Sequence, residues 1–243
     1  MLDSREPGER RWRPGTVAAA GLVVLVLFGA AAVALFGGNR PAEPAGTVLT
    51  GPLPAAAEPR VLGLPAPLTA AVEPLLSPPA VSWRTFQTVA LPFSPTAGPA
   101  DVDGPVFSGY ERSQTGALIA AVQLGTRFLI TPGEGWRQVV DRQVLPGPGR
   151  EAFITARAGV EADDPPGTFG QITGFRMLTF TPDVAVVMLV SRFALSGGLL
   201  QVSTATVKWV GGDWRLELQP DGGASPTAQP VASLDGFVVW GGA

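Results

Sequence analysis

The sequence predicts an α+β protein in which an N-terminal transmembrane helix precedes an exported domain of about three helices packed on a curved antiparallel sheet. Three observations carry that expectation. Val17 to Phe36 is a run of twenty residues without one charged or strongly polar side chain. Residues 116–158 place apolar side chains at helical spacing. Residues 170–219 then change to runs of β-branched and aromatic residues separated by short turns, the grammar of an antiparallel meander.

The apolar run has the length of a membrane span, because about 20 residues at roughly 1.5 Å each match a hydrocarbon core of about 30 Å. Val17, Leu22, Leu25, Leu27, Phe28, Val33 and Phe36 supply the bulk of this anchor. Arg10, Arg11 and Arg13 stand immediately before it and only Arg40 follows closely. Basic residues beside a span stay cytoplasmic, so the tail is expected inside and the remainder outside. A cleaved signal peptide is the rival reading, with Ala32-Val33-Ala34 as a small-residue site, but the run exceeds the usual core of about 7 to 15 residues. The expected organisation is a basic tail over 1–15, a transmembrane helix over 16–37, a Pro/Ala-rich linker over 38–80 and the exported domain over 81–243. Ten prolines within residues 41–80 favour extended conformations, which at about 3.1 Å per residue reach roughly 120 Å.

Within the domain, Ser82 to Ala90 reads as a first strand stopped by Leu91-Pro92, and residues 94–105 as a Pro/Gly loop. Gly116 to Ile130 reads as a helix with Thr115 as N-cap and Leu118, Ala121, Val122, Gly125 and Leu129 on its inner face. A second helix runs from about Gly135 to Val144, with Trp136, Val139, Val140 and Val144 on one stripe. The third runs from Gly149 to Ala158, with Ala152, Phe153 and Ala156 inward. Four strands follow, at 170–181, 184–194, 199–210 and 214–219, divided by Pro182-Asp183, Ser196-Gly197-Gly198 and Gly211-Gly212-Asp213. In the last, Trp214, Leu216 and Leu218 alternate with Arg215, Glu217 and Gln219, as a strand does with one wet face. Leu234 to Trp240 is either an edge strand or a packed tail.

Composition narrows the chemistry. Residues 41–243 carry 12 basic against 17 acidic side chains, a net charge of −5, which gives no electrostatic case for nucleic acid. There is no Cys and no His, so disulfides, thiolate sites, the usual general base near neutral pH and the commonest metal ligand are all missing. No phosphate-cradling glycine loop, serine elbow or zinc motif is present. No catalysis, no metal and no cofactor are expected. Sixteen Arg to one Lys with abundant Ala, Gly and Pro matches the codon bias of a GC-rich bacterium.

Three helices followed by four long strands resemble the cone-shaped fold named after nuclear transport factor two, found also in periplasmic domains of inner-membrane scaffold subunits of type IV secretion and conjugation systems. Trp83, Leu91-Pro92-Phe93-Ser94, Ala97-Gly98-Pro99, Ser108-Gly109-Tyr110, Thr115-Gly116-Ala117 and Gly236-Phe237-Val238-Val239-Trp240 also resemble an uncharacterised domain family of actinobacterial mobile elements. Together these resemblances imply a structural, protein-binding subunit of a conjugation or secretion-type envelope assembly. Its implied partners are the lipid bilayer and other membrane proteins of that assembly, with a homo-oligomer left open. The alternative is an envelope ligand-binding domain with an apolar pocket.

Candidate sites are sparse. Glu161, Asp163 and Asp164 lack the spacing of a calcium loop and read as a solvated turn, as do Asp101 and Asp103. Asp141 with Arg137 and Arg142 reads as surface pairing along a helix. Trp83, Trp136, Trp209, Trp214 and Trp240 read first as core. A pocket, if one exists, is expected between the second helix and the sheet near Trp136, Phe175 and Met177, and the loop from Ser94 to Gly104 is the preferred protein contact. Arg176 and Arg192 face either the interior or solvent, depending on register.

Overall fold

A computed structural model describes residues 75–159, 169–226 and 228–242. The anchor residues Val17 to Phe36, the flanking arginines, most of the linker and the Glu161, Asp163 and Asp164 cluster lie outside the described residues. Among the described residues no helix is long and apolar enough to cross a membrane.

The domain is α+β, with three helices and a curved antiparallel sheet. Its strands are β1 (Ser82–Phe86), β2 (Val89–Phe93), β3 (Asp101–Asp103), β4 (Val106–Ser108), β5 (Gln171–Phe180), β6 (Val184–Phe193), β7 (Leu199–Val210), β8 (Asp213–Glu217), β9 (Ala228–Val231) and β10 (Val238–Val239). The helices are α1 (Gln114–Ile130), α2 (Gly135–Gln143) and α3 (Pro148–Ala158). The main sheet runs β10-β5-β6-β7-β8, so the four expected strands form the expected meander. β7 has two partners along one edge: Thr206 to Val210 pair with β8, and Leu200 to Ser203 pair with β9. Between them the backbone N–H of Thr204 donates to Ser225 Oγ at 2.7 Å.

Helix α1 is the centre of the core. Ala117 through Leu124 are each at most 1% exposed, so this helix is buried on all sides rather than along one stripe. It touches β5 to β8 of the sheet, β2 of the first hairpin and α2. The expected inner face is corrected accordingly, since Gly125 and Leu129 are only half-buried while Gln123, Arg127 and Phe128 are enclosed. The N-cap is Ser113, whose Oγ accepts the Gly116 N–H at 3.1 Å, and Thr115 lies inside the first turn. Thr131 ends the helix by donating from both its N–H and its hydroxyl to Arg127 O.

The other differences have local causes. The chain does not stop at Leu91-Pro92: it reverses at Gln87-Thr88, and Pro92 sits inside β2 opposite Trp83. The amide of Gln171 holds that turn, accepting from Ala90 N at 3.0 Å and donating to Thr88 O at 2.5 Å. The Pro/Gly loop contains β3, paired with β4. In α3, Phe153 and Arg157 are enclosed whereas Ala152 and Ala156 are half-buried. The C-terminal segment is both edge strand and packed tail, with β10 paired to β5 and Trp240 buried against Phe175 at 5.5 Å. Arg176 and Arg192 are exposed on the sheet.

Helix α3 docks so closely on the strand end that a Cβ at Gly149 would stand 2.2 Å from Gln219 O, whereas one at Gly125 in α1 meets nothing within 4 Å. The same substitution therefore has opposite signs. Gly149→Ala should lose about 1–3 kcal/mol through overpacking, and Gly125→Ala should gain roughly 0.5–1 kcal/mol from lower unfolded-chain entropy. Urea denaturation of the two variants beside the parent chain measures both.

Candidate functional site

β8 begins with a carboxylate that organises its surroundings. Asp213 Oδ2 accepts the Gly109 N–H at 2.9 Å, and Oδ1 accepts those of Tyr110 at 3.1 Å and Trp214 at 2.9 Å. The side chain thereby latches the segment after β4 onto the start of β8, more than a hundred residues away. Trp214 completes the latch by donating from Nε1 to Glu111 O at 2.9 Å. At the same junction α2 ends. Gln143 Nε2 donates to Phe107 O at 2.5 Å, and Val144 bridges to Leu216 in parallel.

Between these three elements lies a cleft of about 280 Å³, lined by Val106 and Ser108 of β4, Asp141, Arg142 and Gln143 of α2, and Asp213, Trp214 and Arg215 of β8. Six of these eight residues are polar or charged, two of them acidic and two basic. Gln143 is 4% exposed, and its Oε1 has no hydrogen-bond partner among the described residues. The rim carries two ion pairs, Arg142 Nη1 to Asp103 Oδ2 at 2.6 Å and Arg137 Nε to Asp141 Oδ2 at 3.3 Å. Exposed pairs of this kind are worth at most about 1 kcal/mol.

Behind β4 sits a second polar group that is wholly internal. Arg127 is 1% exposed, with its guanidinium 3.4 Å from the Phe107 ring centre and 4.1 Å from that of Phe86. Its Nε donates to Gln123 Oε1 at 2.7 Å, while Nη1 is buried without a partner among the described residues. Gln123 in turn donates from Nε2 to Pro92 O at 2.8 Å. Burial lowers the Arg127 pKa to about 10, partly offset by Tyr110 nearby. Tyr110 is 3% exposed and its hydroxyl has no hydrogen-bond partner among the described residues; burial pushes its pKa well up, Arg127 opposes the shift and Asp213 adds to it.

The residues expected to surround a pocket are all buried, but among different neighbours. Trp136 packs edge-on to Phe153 at 6.0 Å, Phe175 packs on Trp240, and Met177 is 6% exposed; none lines the cleft. Trp214 and Trp240 are buried core aromatics, with half-buried Trp209 on the first at 5.4 Å and half-buried Trp83 on the second at 4.8 Å. Asp141 and Arg137 do pair along α2, whereas Arg142 turns to Asp103 instead. Gln143 and Asp213 escaped sequence reasoning. Asp213 was absorbed into the turn Gly211-Gly212-Asp213, although an Asp there is well suited to accept backbone N–H groups.

An α+β domain whose central helix is enclosed by sheet and hairpins, with a polar cleft at the β8 edge, is thus the class that fold and site define. The chain belongs to the family described as a domain of unknown function, DUF8175, whose family model matches residues 39–239. No curated protein and no solved structure matches it.

The buried pair fixes an alkaline response. Tyr110 has a folded pKa raised above its unfolded value near 10.0, so its contribution to stability is complete below pH 10 and is lost as pH rises further. Arg127 has the opposite sign, because the cost of its charge is present below about pH 10 and is relieved above it. Tyr110→Phe removes the first effect and an unpartnered hydroxyl. At pH 7 it should match the parent or exceed it by about 1 kcal/mol, and its advantage should widen between pH 9 and 11 in urea denaturation.

Proposed function

We propose that this chain is a single-pass membrane protein with its N-terminus in the cytoplasm, whose exported domain works by contacting other proteins of a conjugation or secretion-type envelope assembly. The observation that carries the reading is the contrast between a filled interior and an offered surface. Helix α1 and the side chains of Phe128, Trp136, Phe153, Phe175, Trp214 and Trp240 occupy the space that an apolar ligand would need. The β3–β4 hairpin, by contrast, projects Asp101, Val102 and Asp103 into solvent, with Val102 61% exposed, directly beside the polar cleft. Rim charges set partner choice and association rate, and a flanking apolar side chain supplies burial.

Placement rests on the apolar run and on Arg10, Arg11 and Arg13 before it. The family match begins at residue 39, directly behind that run. Resemblance to secretion scaffold subunits supplies the kind of assembly.

The test uses cells producing the full chain with a photo-crosslinking side chain at Val102. Irradiation should yield adducts with other membrane or envelope proteins, identified by mass spectrometry, and external protease should degrade the domain while sparing the 1–15 tail. A chain that fractionates as a free monomer and gives no adduct overturns the proposal.

A further inference from the structure

We infer that the turn between β6 and β7 is a lipid-facing tip, whose leucines enter the interface of the bilayer that holds the chain. The inference rests on the reading of Val17 to Phe36 as a membrane span. Turns are normally polar, but this one is not. Leu195 is 70% exposed and Leu199 42%, with Ala194 exposed beside them. From Phe193 to Val207 the chain carries no charged side chain. The turn stands beyond the end of the sheet, since Phe193 and Leu199 are the last pair of β6 and β7 and the Gly198 N–H closes onto Phe193 O at 3.0 Å. A Cβ at Gly197 or Gly198 would meet nothing within 4 Å, so no described segment packs against the turn there. A lone exposed leucine needs no explanation, whereas two on one projecting turn form a surface for apolar burial.

What faces this tip follows from where the chain enters. Gln171, at the start of β5, pairs with Arg192 near the end of β6. Two residues on, Thr173 O accepts the Trp240 N–H at 3.1 Å, and Trp240 Nε1 donates to Pro79 O at 3.2 Å. Just before Pro79, Leu75 packs on the core and Leu76 is 75% exposed. The entry therefore lies at the strand ends that carry the turn, two interstrand steps of about 4.8 Å from β6. Val210 and Asp213, with the cleft, stand at the opposite strand ends. Residues 37–74 join the entry to the apolar run, so a bilayer holding that run is tethered to the end of the domain that bears the leucines. Tethering keeps the tip near the surface, and an intrinsic affinity of about millimolar then suffices. The flanking chemistry fits the same occupant. Arg192 is exposed directly behind the turn and makes no ion pair among the described residues, so its stem can lie along the apolar zone while its guanidinium reaches headgroup phosphate. The net charge of −5 over residues 41–243 gives no general attraction to anionic lipid, so apolar burial is the driving force and high salt should not abolish it.

The chain has no Cys, so a single introduced one is a unique labelling site. The full chain, reconstituted in phosphatidylcholine vesicles, would carry an environment-sensitive nitrobenzoxadiazole label on Ser196→Cys, which keeps both leucines, or on Val210→Cys at the far end of the sheet. Doxyl-labelled lipid should quench the label at position 196 about threefold more than at 210, in low salt and high salt alike. Adding Leu195→Ser and Leu199→Ser should bring position 196 down to the level of 210 without moving the thermal midpoint, because both side chains are exposed. Resistance to carbonate extraction in the same sample reads the span separately. A chain that resists extraction but is quenched equally at the two positions overturns the inference and leaves the span standing. A chain that carbonate extracts removes the span, and this inference with it. A blue-shifted label at 196 that lipid does not quench means that a protein, a second copy included, covers the tip, and that result overturns the inference as well.

Discussion

The guanidinium of Arg127, enclosed between the rings of Phe107 and Phe86, is the constraint from which the rest of the domain takes its arrangement. Each ring comes from a different hairpin, and the cation comes from the central helix. One contact therefore fixes both hairpins against α1. A desolvated cation–π contact contributes about 2 kcal/mol, while burying an ion costs several, so the sandwich does not by itself make the arrangement stable. What it supplies is uniqueness. Any slip of either hairpin along α1 would leave a charge in an apolar core with only Gln123 as a hydrogen-bond partner. The register is held because its alternatives are much worse.

That constraint reaches the surface through β4. Phe107, which stacks on Arg127, also gives its carbonyl to Gln143. Its neighbours Val106 and Ser108 line the cleft, and Gly109 and Tyr110 are pinned by Asp213. The cleft wall is thus backed by the most tightly specified part of the core. The polar atoms of the cleft are thereby held in place, which is the general requirement for affinity from few contacts.

How much of this was legible in the sequence follows from the range of the interactions involved. The meander was legible because β5 to β8 alternate and their turns contain Gly, Pro and Asp, all signals local to a few residues. The β1–β2 hairpin was not, since its reversal uses Gln87 at φ 53 and is secured by Gln171, over eighty residues away. Nor was β9, because Pro230 makes its segment read as loop, although a proline is tolerated on an edge strand. Helix α1 was found but its faces were misjudged: spacing identifies one apolar stripe, and only tertiary packing encloses Gln123 and Arg127 as well. The cleft joins residues 106–108, 141–143 and 213–215, and no pattern within one segment announces such a meeting.

The order of the sheet decides what the cleft can reach. The chain enters the domain where Trp240 Nε1 donates to Pro79 O at 3.2 Å and where Trp83 packs on Trp240, beside β10 and β5. The cleft lies at β8, the opposite end of the order β10-β5-β6-β7-β8. Four interstrand steps of about 4.8 Å put roughly 19 Å of sheet between them. The chain therefore meets the sheet at one edge while the cleft lies at the other. This separation of entry edge and cleft arises from strand order alone.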